Sequence, residues 1–320
     1  MKMIGTGTMV AVLAAAVSAA AGQDAKAADV LAKSRAALGR TGTVKTLSVE
    51  ASMQRNMGEA RMSSDVELLV EMPDKYVKRE VSRGMMNMTM ASGFNGDRAI
   101  RPSGATVMSG GAMVFRMGPG GPVHDGPKPT PEQVEQMNAA TLRAARAEAS
   151  RFMLGWLAMA HPAMKADYTY VGEAESPDGR AHVIDVKDPD GFAARLFIDQ
   201  NNYLPLMVTY QGRAPRIVTS GPMRVTQERP SADAQGSKPP TDEERRKMAQ
   251  DVEARVQKET AEQPLVEFSL FFDDWREVDG VMFPHLMRRA SGGETTEEWT
   301  VEKVKVNGKL DAQKFAVDSK

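Results

Sequence analysis

Apolar and polar positions along this chain repeat with two periods, and the switches between them mark its elements. From Ala27 to Leu38 the apolar residues Val30, Leu31, Ala37 and Leu38 recur at helical spacing, and Gly39 is placed to end the helix. The period then drops to two. Leu47, Val49, Ala51 and Met53 alternate with Ser48, Glu50, Ser52 and Gln54. Met62, Val66, Leu68, Val70 and Met72 alternate with Arg61, Ser63, Asp65, Glu67 and Glu71. Strands with one dry and one wet face predict an antiparallel sheet open to water on one side. Tyr76 to Ser82 and Met85 to Ala91 continue it, and Asn95-Gly96 signals a hairpin turn.

Gly104 to Pro131 loses both periods. The run Met117-Gly118-Pro119-Gly120-Gly121-Pro122 cannot hold a helix or a central strand, so 117–129 is predicted to be a loop. A helix follows, with Thr130 as N-cap, Pro131 in the first turn and Gln133 completing a capping box. Its stripe of Val134, Met137, Thr141, Ala145, Phe152, Met153, Trp156 and Leu157 runs to about Ala160, where His161-Pro162 ends it. Strands resume at Tyr168–Gly172, Ala181–Val186, Ala194–Ile198 and Leu204–Tyr210, separated by Pro, Asp, Asn and Gly turns. A polar insertion at 221–263 holds a charged helix starting at Asp242, behind a second capping box of Thr241 and Glu244. Three more strands close the chain, Leu265–Trp275, Val281–Arg289 and Glu294–Val306. About ten or eleven strands with helices at the start and middle predict an α+β, mainly antiparallel domain, one curved sheet wrapped around apolar helices. No fixed-period repeat or composition break divides residues 22–320.

Residues 1–21 are read as a signal peptide: Lys2, an apolar run from Met9 to Ala16, then Ser18-Ala19-Ala20-Ala21-Gly22. The run is shorter than the roughly 20 residues a spanning helix needs. Export to the periplasm, with cleavage near Ala21, is the expectation. With no cysteine in the chain, neither lipidation after the apolar run nor a disulfide is possible. A net charge of -1, from 41 basic and 42 acidic residues, gives no footprint for nucleic acid.

Two oddities of composition bear on chemistry: aromatics make up only 6%, and there are 23 methionines. Thioethers are flexible and suit adaptable apolar surfaces. The cluster Met85, Met86, Met88 and Met90 invites a Cu(I) reading, but no His or Cys lies close by in sequence. In a strand Met86, Met88 and Met90 share one face, which is also what a cavity wall or core would show, and that reading is preferred. His124, His161, His182 and His285 lack metal spacing and read as loop or surface residues. No G-x-S-x-G is present, and Asp273 and Asp274, adjacent in a strand, point to opposite faces. Trp275 and Trp299 read as core anchors. These residues predict no enzyme, no cofactor and no metal site.

Three stretches resemble the periplasmic lipoprotein-carrier superfamily, the LolA/LolB-like proteins often described as outer-membrane lipoprotein-sorting proteins. They are the helix-to-strand passage Val30–Gly39 and Val44–Glu50, the pair Arg195–Asp199 and Tyr203–Val208 with its Leu204-Pro205, and the hairpin Trp275–Pro284 with Val278-Asp279-Gly280-Val281. The resemblance implies an incomplete β-barrel around helices with an apolar cavity for acyl chains. It also implies a carrier or chaperone for a lipoprotein or lipid, acting as a monomer. The alternative is an RseB-like envelope-stress sensor with a membrane-protein partner. The ligand-binding candidates are Met53, Met62, Val66, Leu68, Met86, Met88 and Met90 from the sheet, and Phe152, Met153, Trp156 and Leu157 from the helix.

Overall fold

The structure, a computed structural model, describes residues 10–57, 60–83, 89–101, 105–107, 113–115, 130–176, 179–213, 247 and 264–317. The expected loop at 117–129, the insertion at 221–263 apart from Lys247, and Met85, Met86, Met88 and His124 lie outside the described residues. Helix α1 spans Val10–Ala37 and a single turn follows at Thr41–Thr43. A first meander comprises β1 (Thr46–Met57), β2 (Ala60–Glu71), β3 (Lys75–Arg83), β4 (Thr89–Asn95) and β5 (Arg98–Ile100). A separate two-stranded ribbon, β6 (Ala105–Val107) with β7 (Met113–Phe115), comes next, and then helix α2 (Pro131–Leu157). A second meander comprises β8 (Asp167–Ser176), β9 (Gly179–Lys187), β10 (Ala193–Asp199), β11 (Pro205–Gly212), β12 (Val266–Val278), β13 (Val281–Ser291) and β14 (Glu294–Val306).

The two meanders join into one open sheet of twelve strands, in the order β5-β4-β3-β2-β1-β14-β13-β12-β11-β10-β9-β8. Every neighbour is antiparallel. The join is made by β1 and β14, with Leu47 opposite Val306 and Met53 opposite Trp299. The twelfth strand, against an expectation of ten or eleven, is β5: three residues are too few to show a period. The ribbon lies in the stretch Gly104–Pro131 that shows neither period, and its three-residue strands are likewise too short to show one.

Alternation decides which side is dry. Leu47, Val49, Ala51 and Met53 of β1 are buried, as are Val66, Leu68 and Val70 of β2. They face α2, which lies across the hollow and touches β3, β4 and β5 on one wing and β10, β11 and β13 on the other. Helix α1 packs along β8, and its end docks on the hairpin between β12 and β13. Gly39 leaves the helix at φ +88°, and a Cβ there would sit 2.4 Å from the Gly280 carbonyl oxygen. That contact admits only glycine. It lets Arg40 N–H donate to Gly280 O at 2.9 Å and Met282 N–H to Leu38 O at 2.9 Å. On the convex side the C-terminal turn Ala312–Phe315 covers a small cluster of Leu69, Val77, Ile100 and Phe315.

Candidate ligand site

Helix α2 is built to lie in the hollow. Thr130 accepts from Gln133 N–H at 3.2 Å, Gln133 answers by accepting from Thr130 N–H at 2.9 Å, and Pro131 opens the first turn. Ala158, at φ 49°, ends it. The Arg35 guanidinium of α1 donates to Ala158 O at 3.2 and 3.1 Å, placing a cation at the negative end of the α2 dipole. Between these caps Leu142, Ala145, Ala149, Phe152, Met153, Trp156 and Leu157 form the buried stripe. Phe152 stacks on Trp156 at 5.0 Å between centroids and meets Trp299 at 5.5 Å; Trp156 meets Phe283 at 5.2 Å. The Trp156 indole N–H donates to Met287 Sδ at 3.3 Å. Gly155 lets the Phe272 ring reach the helix: a Cβ there would fall 2.0 Å from Phe272 Cζ.

The structure brings seven of the eleven candidates together. Met53, Val66, Leu68, Phe152, Met153, Trp156 and Leu157 are all buried, within one cluster beneath α2. Met90 is half-buried on β4, opposite Glu80. Met62, opposite Arg55 on β2, is 40% exposed. An open depression of about 600 Å³ lies elsewhere, beside Gly39, Arg40, Glu277, Asp279 and Met282 at the end of α1. Its lining is mixed in polarity and touches none of the candidates.

Beside the apolar cluster runs a belt of charges that the sequence reading missed. Arg55 donates to Glu80 on β3 at 3.1 and 3.3 Å and to Glu297 on β14 at 3.0 Å. Arg289 on β13 pairs with Glu297 at 3.0 Å. Ser64 O–H donates to Glu80 at 3.0 Å and the Trp299 indole N–H to Glu297 at 3.3 Å. From α2, Glu148 accepts from Lys78 and from Tyr76 O–H. Burial raises the Glu297 pKa, but the Arg289 and Arg55 charges outweigh it and hold the carboxyl down to about 2. Burial likewise opposes ionisation of Glu148, and Lys78 and Arg289 overcome it, so its pKa falls below the usual carboxylate value. The signal was present in the alternation. Arg55 continues the dry series of β1, Ser64 that of β2, and Glu297 and Arg289 stand two positions from buried Trp299 and Met287.

Arg151 on α2 stands apart. Its guanidinium lies 3.9 Å from the Tyr210 ring centroid, and Tyr210 stacks on Phe268 at 5.4 Å. Among the described residues no carboxylate pairs with it, and its Nε is buried without an acceptor, as is that of Arg289. Burial pulls the Arg151 pKa below its ordinary value.

Of the histidines read as loop or surface residues, His161 is a correction. It is fully buried against the edge of Phe94, at 5.0 Å. Its ring belongs to the core because the chain leaving α2 turns inward, with His161 N–H donating to Ser150 Oγ at 3.1 Å. Trp299 is a buried anchor and Trp275 a partly buried one. Asp273 and Asp274 take separate partners, Arg288 and Arg276. Among the described residues no group of three or more His, Asp or Glu side chains is arranged to hold a metal ion, and no helix is long and apolar enough to cross a membrane.

No protein-family profile matches the chain, and no curated protein matches it by sequence. Among solved structures it is similar to a LolA superfamily protein from Nitrosomonas europaea, at 9% identity and a TM-score of 0.45, covering 91% of this chain and 98% of that one. It is similar to a domain described as an outer membrane lipoprotein-sorting protein from Vibrio parahaemolyticus, at 9% identity and a TM-score of 0.43, covering 91% and 97%. The MucA/MucB complex from Pseudomonas aeruginosa also matches, at 12% identity and a TM-score of 0.20, covering 89% and 100%.

Proposed function

We propose that this chain is a periplasmic carrier or chaperone for a hydrophobic, acylated ligand, which it holds on the concave face of its half-barrel. The observation that carries this reading is the plug: α2 fills the hollow of a sheet whose edge strands, β5 and β8, do not pair. A helix seated in an open half-barrel can shift without unravelling the sheet. The wall it would leave includes Met53 and Met287, whose thioether side chains repack at low cost. An acyl chain entering that space gains about 0.8 kcal/mol per methylene, on the order of 10 kcal/mol for a long chain. This gain works against the loss of the helix contacts and needs no polar code. In this reading the eleven candidate residues contact the ligand, with exposed Met62 and half-buried Met90 at the mouth. The leader is cleaved near Ala21, inside α1, and the mature monomer is released to the periplasm.

The test is binding of a fluorescent fatty-acid probe to the purified protein. Saturable binding is expected, and Met62→Asp should weaken it about tenfold with the melting temperature unchanged, because Met62 is exposed. Unchanged affinity in that variant would remove Met62 from the site. No saturable binding, together with a membrane protein retained from periplasmic pull-downs, would replace the carrier with a regulatory interaction protein.

A further inference from the structure

The ionic belt is unbalanced. Its cations are Arg55, Lys78, Arg151 and Arg289, and its carboxylates are Glu80, Glu148 and Glu297. Each carboxylate is held by Arg55, Lys78 or Arg289, and the charge left over is on Arg151. A guanidinium carries five donors and no acceptor, and it forms its strongest contacts with planar or tetrahedral oxyanions. Here Arg151 satisfies none of those donors within the described chain, and Arg289 has its Nε free. Both residues keep partial exposure, although the two unpartnered Nε atoms are themselves buried. Arg151 lies over Tyr210, which stacks on Phe268, and the charges of Arg151 and Arg289 both act on Tyr210 and on each other. On α2, Arg151 precedes Phe152, whose ring heads the aromatic row of the core.

We infer that Arg151, Arg289 and Tyr210 form an anion subsite that seats the carboxylate or phosphate headgroup of an acyl ligand, with its hydrocarbon chain running beneath α2. The subsite rests on the carrier reading and narrows its ligand to acyl chains bearing an oxyanion. A polar headgroup left among apolar walls would forfeit its hydration, and the unpartnered guanidinium supplies what replaces it. Tyr210, stacked on Phe268, sets an aromatic face beside the Arg151 charge, so the charge and the chain are recognised side by side.

The experiment compares oleate, oleyl alcohol and inorganic phosphate by calorimetric titration on the full chain, in the wild-type protein and in Arg151→Met and Arg151→Lys. Arg151→Met leaves no carboxylate unpaired, so its melting temperature should hold. The wild type should bind oleate about tenfold or more tightly than oleyl alcohol. Arg151→Met should bring the two ligands to equal affinity, and Arg151→Lys should restore part of the preference. Equal affinity for both ligands in the wild type, or an undiminished preference in Arg151→Met, would overturn the subsite and leave the carrier standing. Binding of neither would overturn both. Phosphate bound as tightly as oleate would show a free-anion site and overturn the assignment to an acyl headgroup.

Discussion

His161 shows how one side chain can make the whole domain sensitive to acid. Its Nδ1 accepts from Ala163 N–H at 3.1 Å, which puts the proton of the neutral ring on Nε2, and Nε2 has no partner. Burial, helped by the Arg146 charge, lowers its pKa to about 4. The unfolded chain takes up this proton near pH 6.5, before the folded one does. Stability is therefore full above about pH 6.5 and is lost as pH falls toward 4, by about 3 kcal/mol in all. Chemical denaturation between pH 7 and 4 should show this slope, and His161→Gln should flatten it. An identical slope in the variant would clear His161 of the effect. Glu297 acts in a lower window. Its depressed pKa contributes stability above the unfolded value near 4.5, which is lost as pH falls toward 2. His161 could not be located from its neighbours in sequence. His161 stands beside Pro162 where a helix ends, and nothing local says that the turn points inward. The charges of the belt were better marked, since Arg55 and Glu297 occupy positions that the alternation reserves for apolar side chains.

At the scale of elements, the contact between α2 and β12 is the sharpest test of how the plug is seated. Alanine favours a helix over glycine by about 1 kcal/mol, so propensity alone would make Gly155→Ala stabilising. The fully buried Phe272 ring occupies the place the new methyl group needs. Overpacking of this kind costs about 1–3 kcal/mol, and thermal melting should show a net loss. A higher melting temperature would mean that α2 rides free of β12. The elements themselves were legible wherever their period ran long enough. Both helices and most strands of the sheet match the changes from 3.6 to 2, and the Thr130 capping box appears as read. Of the expected strand Met85–Ala91, residues 85–88 lie outside the described residues, and Thr89, Met90 and Ala91 belong to β4.

For the whole molecule, the order of the strands was not legible, because no local signal brings β1 beside β14. Yet that pairing makes one sheet out of two meanders. Lys45 N–H donates to Asn307 Oδ1 at 2.7 Å across a separation of 262 residues. Ending the chain after Ser291 would strip β1 and β13 of their shared neighbour and leave Met53 and Arg55 without Trp299 and Glu297. Such a chain should show no cooperative thermal transition by circular dichroism. A sharp melt would mean that each meander folds as its own domain.

The same pairing sets a clock on synthesis. At translation rates of 5–20 residues per second, β1 waits on the order of ten seconds or more for its central partner. Until the last strand is made, the nascent chain has only half-sheets with raw edges, which holding factors can keep extended. A sheet closed by β14 therefore stays in two pieces for most of the time its strands are being made.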